Sequence, residues 1–173
     1  MALQKEKKKT IVENVSGVVK DSSSVAFVNF HGLTMADTNA LREALSQSDV
    51  RYLVAKKTLV RRALGEHTIQ GEVPELTGEL ALAYRLPALS AQAGDSALLP
   101  ARGIYDFGKK LAAGTLTLLG GIFEGRYVGR EEMTEIATIP PTPILRGQFV
   151  NIINSPLQRF TIALDQIART REV

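Results

Sequence analysis

The stretch from Thr142 to Thr170, TPILRGQFVNIINSPLQRFTIALDQIART, constrains this chain more than any other. Leu145, Phe149, Ile153, Leu157, Phe160, Leu164 and Ile167 recur at intervals of three and four, which places them along one stripe of a helix. Ile139-Pro140-Pro141 separates the stretch from what precedes it, because proline resists helix continuation and extends the residue before it. A helix of about 29 residues runs roughly 43 Å, longer than the diameter expected of the small domain ahead of it. Its own domain cannot bury such a rod along its whole length. Either partner chains cover the stripe or it faces water.

Two residues interrupt the pattern. Gly147 and Pro156 cost about 1 and 3 kcal/mol in a helix interior, but proline is comfortable in a first turn. Ser155 is therefore expected to cap a second helix that starts at Pro156. The stripe then divides into Leu145, Phe149, Ile152 and Ile153, followed by Leu157, Phe160, Leu164 and Ile167. Burying four large side chains yields about 6 to 12 kcal/mol gross per segment. Association costs about 4 to 15 kcal/mol, so stable docking requires partner helices that enclose the stripe. The competing readings are a helix folded back on its own sheet and self-association as a coiled coil. A membrane-surface helix is disfavoured because the polar face has no lysine.

The chain has 173 residues, 45% hydrophobic and 23% charged, enough for one ordinary domain plus an appendage. No apolar run is long enough to span a bilayer. The opening MALQKEKKKTIVENV has neither the apolar core of a secretory signal nor the acid-poor composition of a transit peptide. Without cysteine there is no disulfide framework, thiolate metal site or cysteine nucleophile. A cytoplasmic protein is expected. The net charge of +3 hides an asymmetry: residues 1–67 hold 11 Lys+Arg against 7 Asp+Glu, and residues 68–173 hold 10 against 11. An anionic partner is thus expected on the first half.

Along that half, Leu3 to Lys20 reads as a helix and Val25 to Phe30 as a buried strand. Thr34 is placed to cap a helix through Ser46 that turns Met35, Leu41 and Leu45 inward. Val50 to Ala55 reads as a second strand, and Lys56 to Gly65 as a basic helix with Leu59, Val60 and Leu64 inside. Ile69 to Gly78 is loop. Glu79 to Arg85 is a third strand, and Ala88 to Pro100 has no firm periodicity. Ala101 to Ala113 reads as a helix through Ile104, Phe107 and Leu111. Thr115 to Phe123, interrupted by Gly120-Gly121, is a fourth strand. Arg126 to Val128 is a short fifth, and Arg130 to Ala137 a short helix. The pattern predicts an α+β fold, a small mixed sheet flanked by helices, followed by the long C-terminal helix.

Two basic clusters stand out: Lys5, Lys7, Lys8 and Lys9, and the run Lys56-Lys57-Thr58-Leu59-Val60-Arg61-Arg62, which contains no acid. On a helix Lys57 stacks on Arg61 at i and i+4, where like charges repel by a few tenths of a kcal/mol. Phosphate groups match such clusters, against the plain alternative of a solvated face. No aromatic residue neighbours the run in sequence, which disfavours stacking on single-stranded bases and favours recognition of a folded RNA by shape and backbone. Catalysis finds little support. His31 and His67 have no metal-ligand spacing, and Glu131, Glu132 and Glu135 suit the positive end of a helix. Gly120 to Gly125 lacks the Lys-Ser/Thr of a phosphate loop. No catalytic residue, metal or cofactor is expected.

These residues in this order resemble the family of bacterial stalk-base proteins of the large ribosomal subunit, the universal ten family. The resemblance covers nearly the whole chain. It lies in Met1-Ala2-Leu3 with Lys9, Ile11 and Val12; in Gly32-Leu33-Thr34 with Leu41-Arg42; and in Lys56, Thr58-Leu59 and Arg61-Arg62-Ala63. Gly78, the Gly121 to Gly125 turn, Ile139-Pro140 and Ser155-Pro156-Leu157 complete it. It implies a roughly ferredoxin-like domain over residues 1–138 and a helical spine over residues 139–173. It further implies that the domain binds large-subunit ribosomal RNA beside protein eleven, with contacts at Lys56, Arg61 and Arg62 and with Gly32 and Thr34 nearby. The spine would carry dimers of the acidic stalk protein that recruit translational GTPases, and its two segments give room for two. Lys57 departs from the family's usual Asn, and Ala91 to Arg102 is longer than the common pattern. The rival readings are a free RNA-binding regulator of translation and a small hydrolase built on His31.

Overall fold

The computed structural model describes residues 5–67, 69–85, 97–111 and 114–171. The chain divides into two compact units, Met1–Ile139 and Pro140–Val173.

The first unit is α+β. Its elements in order are α1 (Lys5–Asp21), β1 (Ser24–Phe30), α2 (Met35–Gln47), β2 (Arg51–Val54) and α3 (Lys57–Gly65). They continue with β3 (Leu80–Tyr84), α4 (Leu99–Gly108), β4 (Leu116–Phe123), β5 (Arg126–Val128) and α5 (Arg130–Thr138). The five strands form one sheet in the order β2-β3-β1-β4-β5. Every ladder is antiparallel, and an isolated bridge between Gln70 and Arg126 adds a parallel pairing. Strand β3 lies between β1 and β2, and β1 lies between β3 and β4. The chain thus makes the two split βαβ units of a ferredoxin-like arrangement, with α1, α3, β5 and α5 added.

Both faces of the sheet are covered. Ala26, Val28, Ala81, Ala83 and Leu118 pack with α2, α4 and α5 through Leu41, Leu45, Ile104 and Met133. Val25, Phe27, Leu80, Leu82 and Ile122 pack with α1 and α3 through Val15, Val18, Val60 and Leu64. Successive residues of a strand point to opposite faces, so a strand buried on both sides reads as the unbroken apolar run of Val25 to Val28. A bulge adjusts β4. Phe27 pairs with Gly120 while Val28 pairs with Leu118, which leaves Leu119 as the extra residue. The insertion lets Leu119 and Ile122, three apart, share the α1/α3 face. Gly120 has φ +139, and a Cβ there would lie 2.5 Å from the Val128 carbonyl oxygen.

Local signals explain some of the element ends. The Thr34 hydroxyl accepts from the Asp37 N–H at 3.1 Å and donates to Asp37 Oδ2 at 2.7 Å, closing the N-terminus of α2. Met35 is not inward as its place in the pattern suggests: it is 74% exposed. It lies six residues before Leu41, about 120° round the helix from the buried face. Helix α4 starts two residues earlier than expected and ends at Gly108, not at Ala113. Tighter turn bonds, Lys110 N–H to Phe107 and Leu111 N–H to Gly108, finish it. Ala112 and Ala113 lie outside the described residues, as does most of the unassigned 88–100 stretch.

The second unit is one helix, α6 (Thr142–Arg171), of 30 residues, and Pro156 lies inside it. Ser155 therefore does not cap a second helix, and the division expected there is corrected. Proline forfeits its own N–H and crowds the carbonyl four residues back, here that of Ile152, at a cost of about 3 kcal/mol. The turns on either side lose nothing, so the helix continues. The Pro141 carbonyl accepts from Ile144 and Leu145 N–H at 2.9 and 3.0 Å at its start.

Candidate nucleic-acid and partner interfaces

Helices α1 and α3 bring the two basic clusters together. Their inner faces are tied to the sheet by Val15 and Val18 and by Val60, Ala63 and Leu64, so the polar remainder of each faces out. Between them runs a groove of about 450 Å³ lined by Lys8, Lys9 and Arg62, with Glu13 and Glu66 also on its walls. Lys7 and Arg61 are exposed but do not line it. Lys5 opens α1; its side chain lies outside the described residues. None of Lys7, Lys8, Lys9, Lys56, Lys57, Arg61 or Arg62 forms an ion pair within 4 Å among the described residues.

The remaining basic residues sit at one end of the sheet. The register pairs Asn29 with Leu80 and Val54 with Ala81, so the C-terminal ends of β1 and β2 and the start of β3 coincide. Gly32 and Thr34 follow β1 there, and Lys56 and Lys57 follow β2. Gly32 has φ +70 with open space beside it, and Thr34 Oγ1 is committed to the helix cap. Lys56 occupies the N-cap of α3 without a side-chain cap, and no acid lies in the first turn. The positive end of that helix dipole carries two added cations with no acid in its own first turn, and Glu79 lines the adjoining groove; a bound anion relieves the excess positive charge.

Beside Lys56 and Lys57 opens a second groove of about 610 Å³, walled mainly by Ile11, Phe30, Val54 and Leu59. Phe30 corrects the sequence reading that no aromatic ring attends the basic run. It is remote in sequence, yet β1 delivers it to the same place. Its ring meets Tyr52 edge-on at 6.4 Å between centroids. Burial pushes the Tyr52 phenol up to about 12, with Arg42 pulling the other way, so the ring remains neutral.

The two histidines are far less chemical. His31 is exposed, and its backbone N–H donates to the Thr115 carbonyl at 2.9 Å. His67 shares a hydrogen bond of 2.8 Å with Ser16 Oγ, a link from α1 to the end of α3 that sequence spacing does not reveal. Among the described residues no group of three His, Cys, Asp or Glu could hold a metal ion.

In α6 the eight stripe residues Leu145, Phe149, Ile152, Ile153, Leu157, Phe160, Leu164 and Ile167 are all exposed, from 40% at Leu145 to 70% at Ile152. At about 100° per residue they span roughly 140° of the circumference. Val150, which the spacing by threes and fours passes over, is exposed and widens this arc. Ile144 and Ile162, also exposed, fall on the other side. An exposed run of this size on one helix is far beyond the scattered apolar residues of an ordinary surface. No helix among the described residues is long and apolar enough to cross a membrane.

The family model for ribosomal protein L10 matches residues 3–89. Large ribosomal subunit protein uL10 of Shouchella clausii (strain KSM-K16) is 30% identical over 167 residues, covering 96% of this chain and 95% of the relative. The uL10 proteins of Staphylococcus carnosus (strain TM300) and Bacillus licheniformis are 29% and 28% identical over the same coverage.

Proposed function

Because the chain belongs to the ribosomal protein L10 family, whose members are structural ribosomal proteins and not enzymes, we propose that it forms the base of the large-subunit stalk. Residues 1–138 grip large-subunit ribosomal RNA beside protein eleven of that subunit, in the cytoplasm. Residues 139–173 carry dimers of the acidic stalk protein, through which translational GTPases are recruited. The observation that carries this reading is the 30-residue α6 with its eight exposed apolar side chains.

An arc of roughly 140° is wider than the stripe of about 100° that seats a helix on a flat surface. A pair of partner helices closing on α6 from two sides would cover it. The arc holds two blocks of four large side chains on either side of Ser155-Pro156, which supports two dimers. Docking several copies raises the local concentration of the factors they bind.

On the RNA side, Lys8, Lys9 and Arg62 in one groove and Lys56 and Lys57 in the next supply cations without internal partners. Four to six phosphate contacts predict a slope of about −3 to −5 in log affinity against log salt. Lys57→Ala should weaken binding and make the slope less negative by about 1. Filter binding of the full chain to large-subunit ribosomal RNA across a salt series measures both, and a slope near zero would remove the RNA assignment.

A further inference from the structure

We propose that the groove at the ends of β1 and β2 seats a single unstacked nucleobase of the bound RNA. The inference rests on the RNA-binding reading and adds what this groove holds. Its volume of about 610 Å³ lies within the roughly 300 to 1,000 Å³ of small-ligand clefts. Ile11, Phe30, Val54 and Leu59 give it apolar walls, while Lys56 and Lys57, with Thr58 and the single acid Glu79, stand among the lining residues. Phosphates alone would be served by the lysines and would gain nothing from the apolar walls. The pairing suits a ligand that is anionic along its chain and flat and apolar at intervals, which describes a nucleotide strand.

Two further observations agree. Leu59 borders both this groove and the one lined by Lys8, Lys9 and Arg62, so the apolar seat adjoins the basic face along α3. Phe30 is braced by Tyr52, which gives a ring already ordered before a base stacks on it. Val54, meanwhile, is 45% exposed at the end of an edge strand, an apolar side chain that the core does not require.

Val54→Trp fills the groove from its exposed wall. In the full chain, binding to large-subunit ribosomal RNA should weaken about 5- to 150-fold, the range of one lost base stack, with the salt slope unchanged. A photoreactive benzoyl-phenylalanine at position 54 should crosslink to one or two unpaired nucleotides, a readout independent of how well the tryptophan variant folds. Unchanged affinity of Val54→Trp, or crosslinks confined to duplex RNA or to a neighbouring protein, would overturn the proposal and leave RNA binding standing. Loss of salt-dependent binding in the unsubstituted chain would instead remove the RNA reading itself.

Discussion

Removing residues 142–173 is expected to abolish capture of the acidic stalk protein while leaving affinity for ribosomal RNA within about twofold. The eight large apolar residues of the stripe lie on α6, and the basic grooves are built from α1, α3 and the strand ends. The two proposed activities would therefore draw on different residues. Within the helix, Phe149 and Phe160 are the largest side chains of the arc and fit the role of aromatic anchors. Each Phe→Ala change should cost roughly 2 to 4 kcal/mol of docking energy, about 30- to 1,000-fold in Kd. Neither change should alter the stability of the first unit, because both side chains are exposed. Titration of each variant with the purified acidic protein measures the effect. Retained capture by the truncated chain would mean that the docking surface lies elsewhere.

The second large effect is on stability. Gly121→Ala should destabilise the first unit by about 3 to 4 kcal/mol, a large part of the roughly 5 to 15 kcal/mol that holds a domain folded. Gly121 lies opposite Ala26 on one side and Val128 on the other. A Cβ there would lie 2.3 Å from the Val25 carbonyl oxygen and 2.6 Å from Met133 Cε. The methionine can move, but the paired backbone of β1 cannot without breaking the ladder. Gly17 provides the contrast: it lies within α1, and a methyl group added there would meet nothing within 4 Å. Gly17→Ala should be neutral or stabilising by up to about 1 kcal/mol, the helix-propensity gain. Urea denaturation of the two variants reads the difference directly. Equal midpoints would show that the β1–β4 approach is looser than its geometry implies.

These positions also show where sequence reasoning reaches and where it stops. The strand Val25 to Val28 is legible because a short, unbroken apolar run between turn residues fits a strand buried on both faces and little else. The cap at Thr34 is legible because Asp37 follows at the right spacing. Gly120-Gly121 announces an interruption of β4, but not that Leu119 bulges so that Leu118 and Ile122 serve opposite faces. That is a property of the partner strand's register. Pro156 misleads because its local preference for a first turn says nothing of the helix on both sides, which carries it through. The basic clusters are each visible, yet their convergence depends on how α1 and α3 pack over the sheet. Phe30 belongs to the same class of miss: 25 residues lie between it and Lys56, and only the antiparallel ladders bring the strand ends together. Chemistry assembled from distant segments leaves no local pattern to find.

The central claim is that α6 is a mount for foreign helices, and the mass of its complex tests it most directly. Native mass spectrometry of the full chain with an excess of the acidic stalk protein should show one copy of this chain carrying two dimers, with the Phe149→Ala and Phe160→Ala variants shifted toward one. A spectrum holding only the chain alone, or multiples of it, would contradict the claim: the first would leave the arc without a partner, and the second would assign it to self-association.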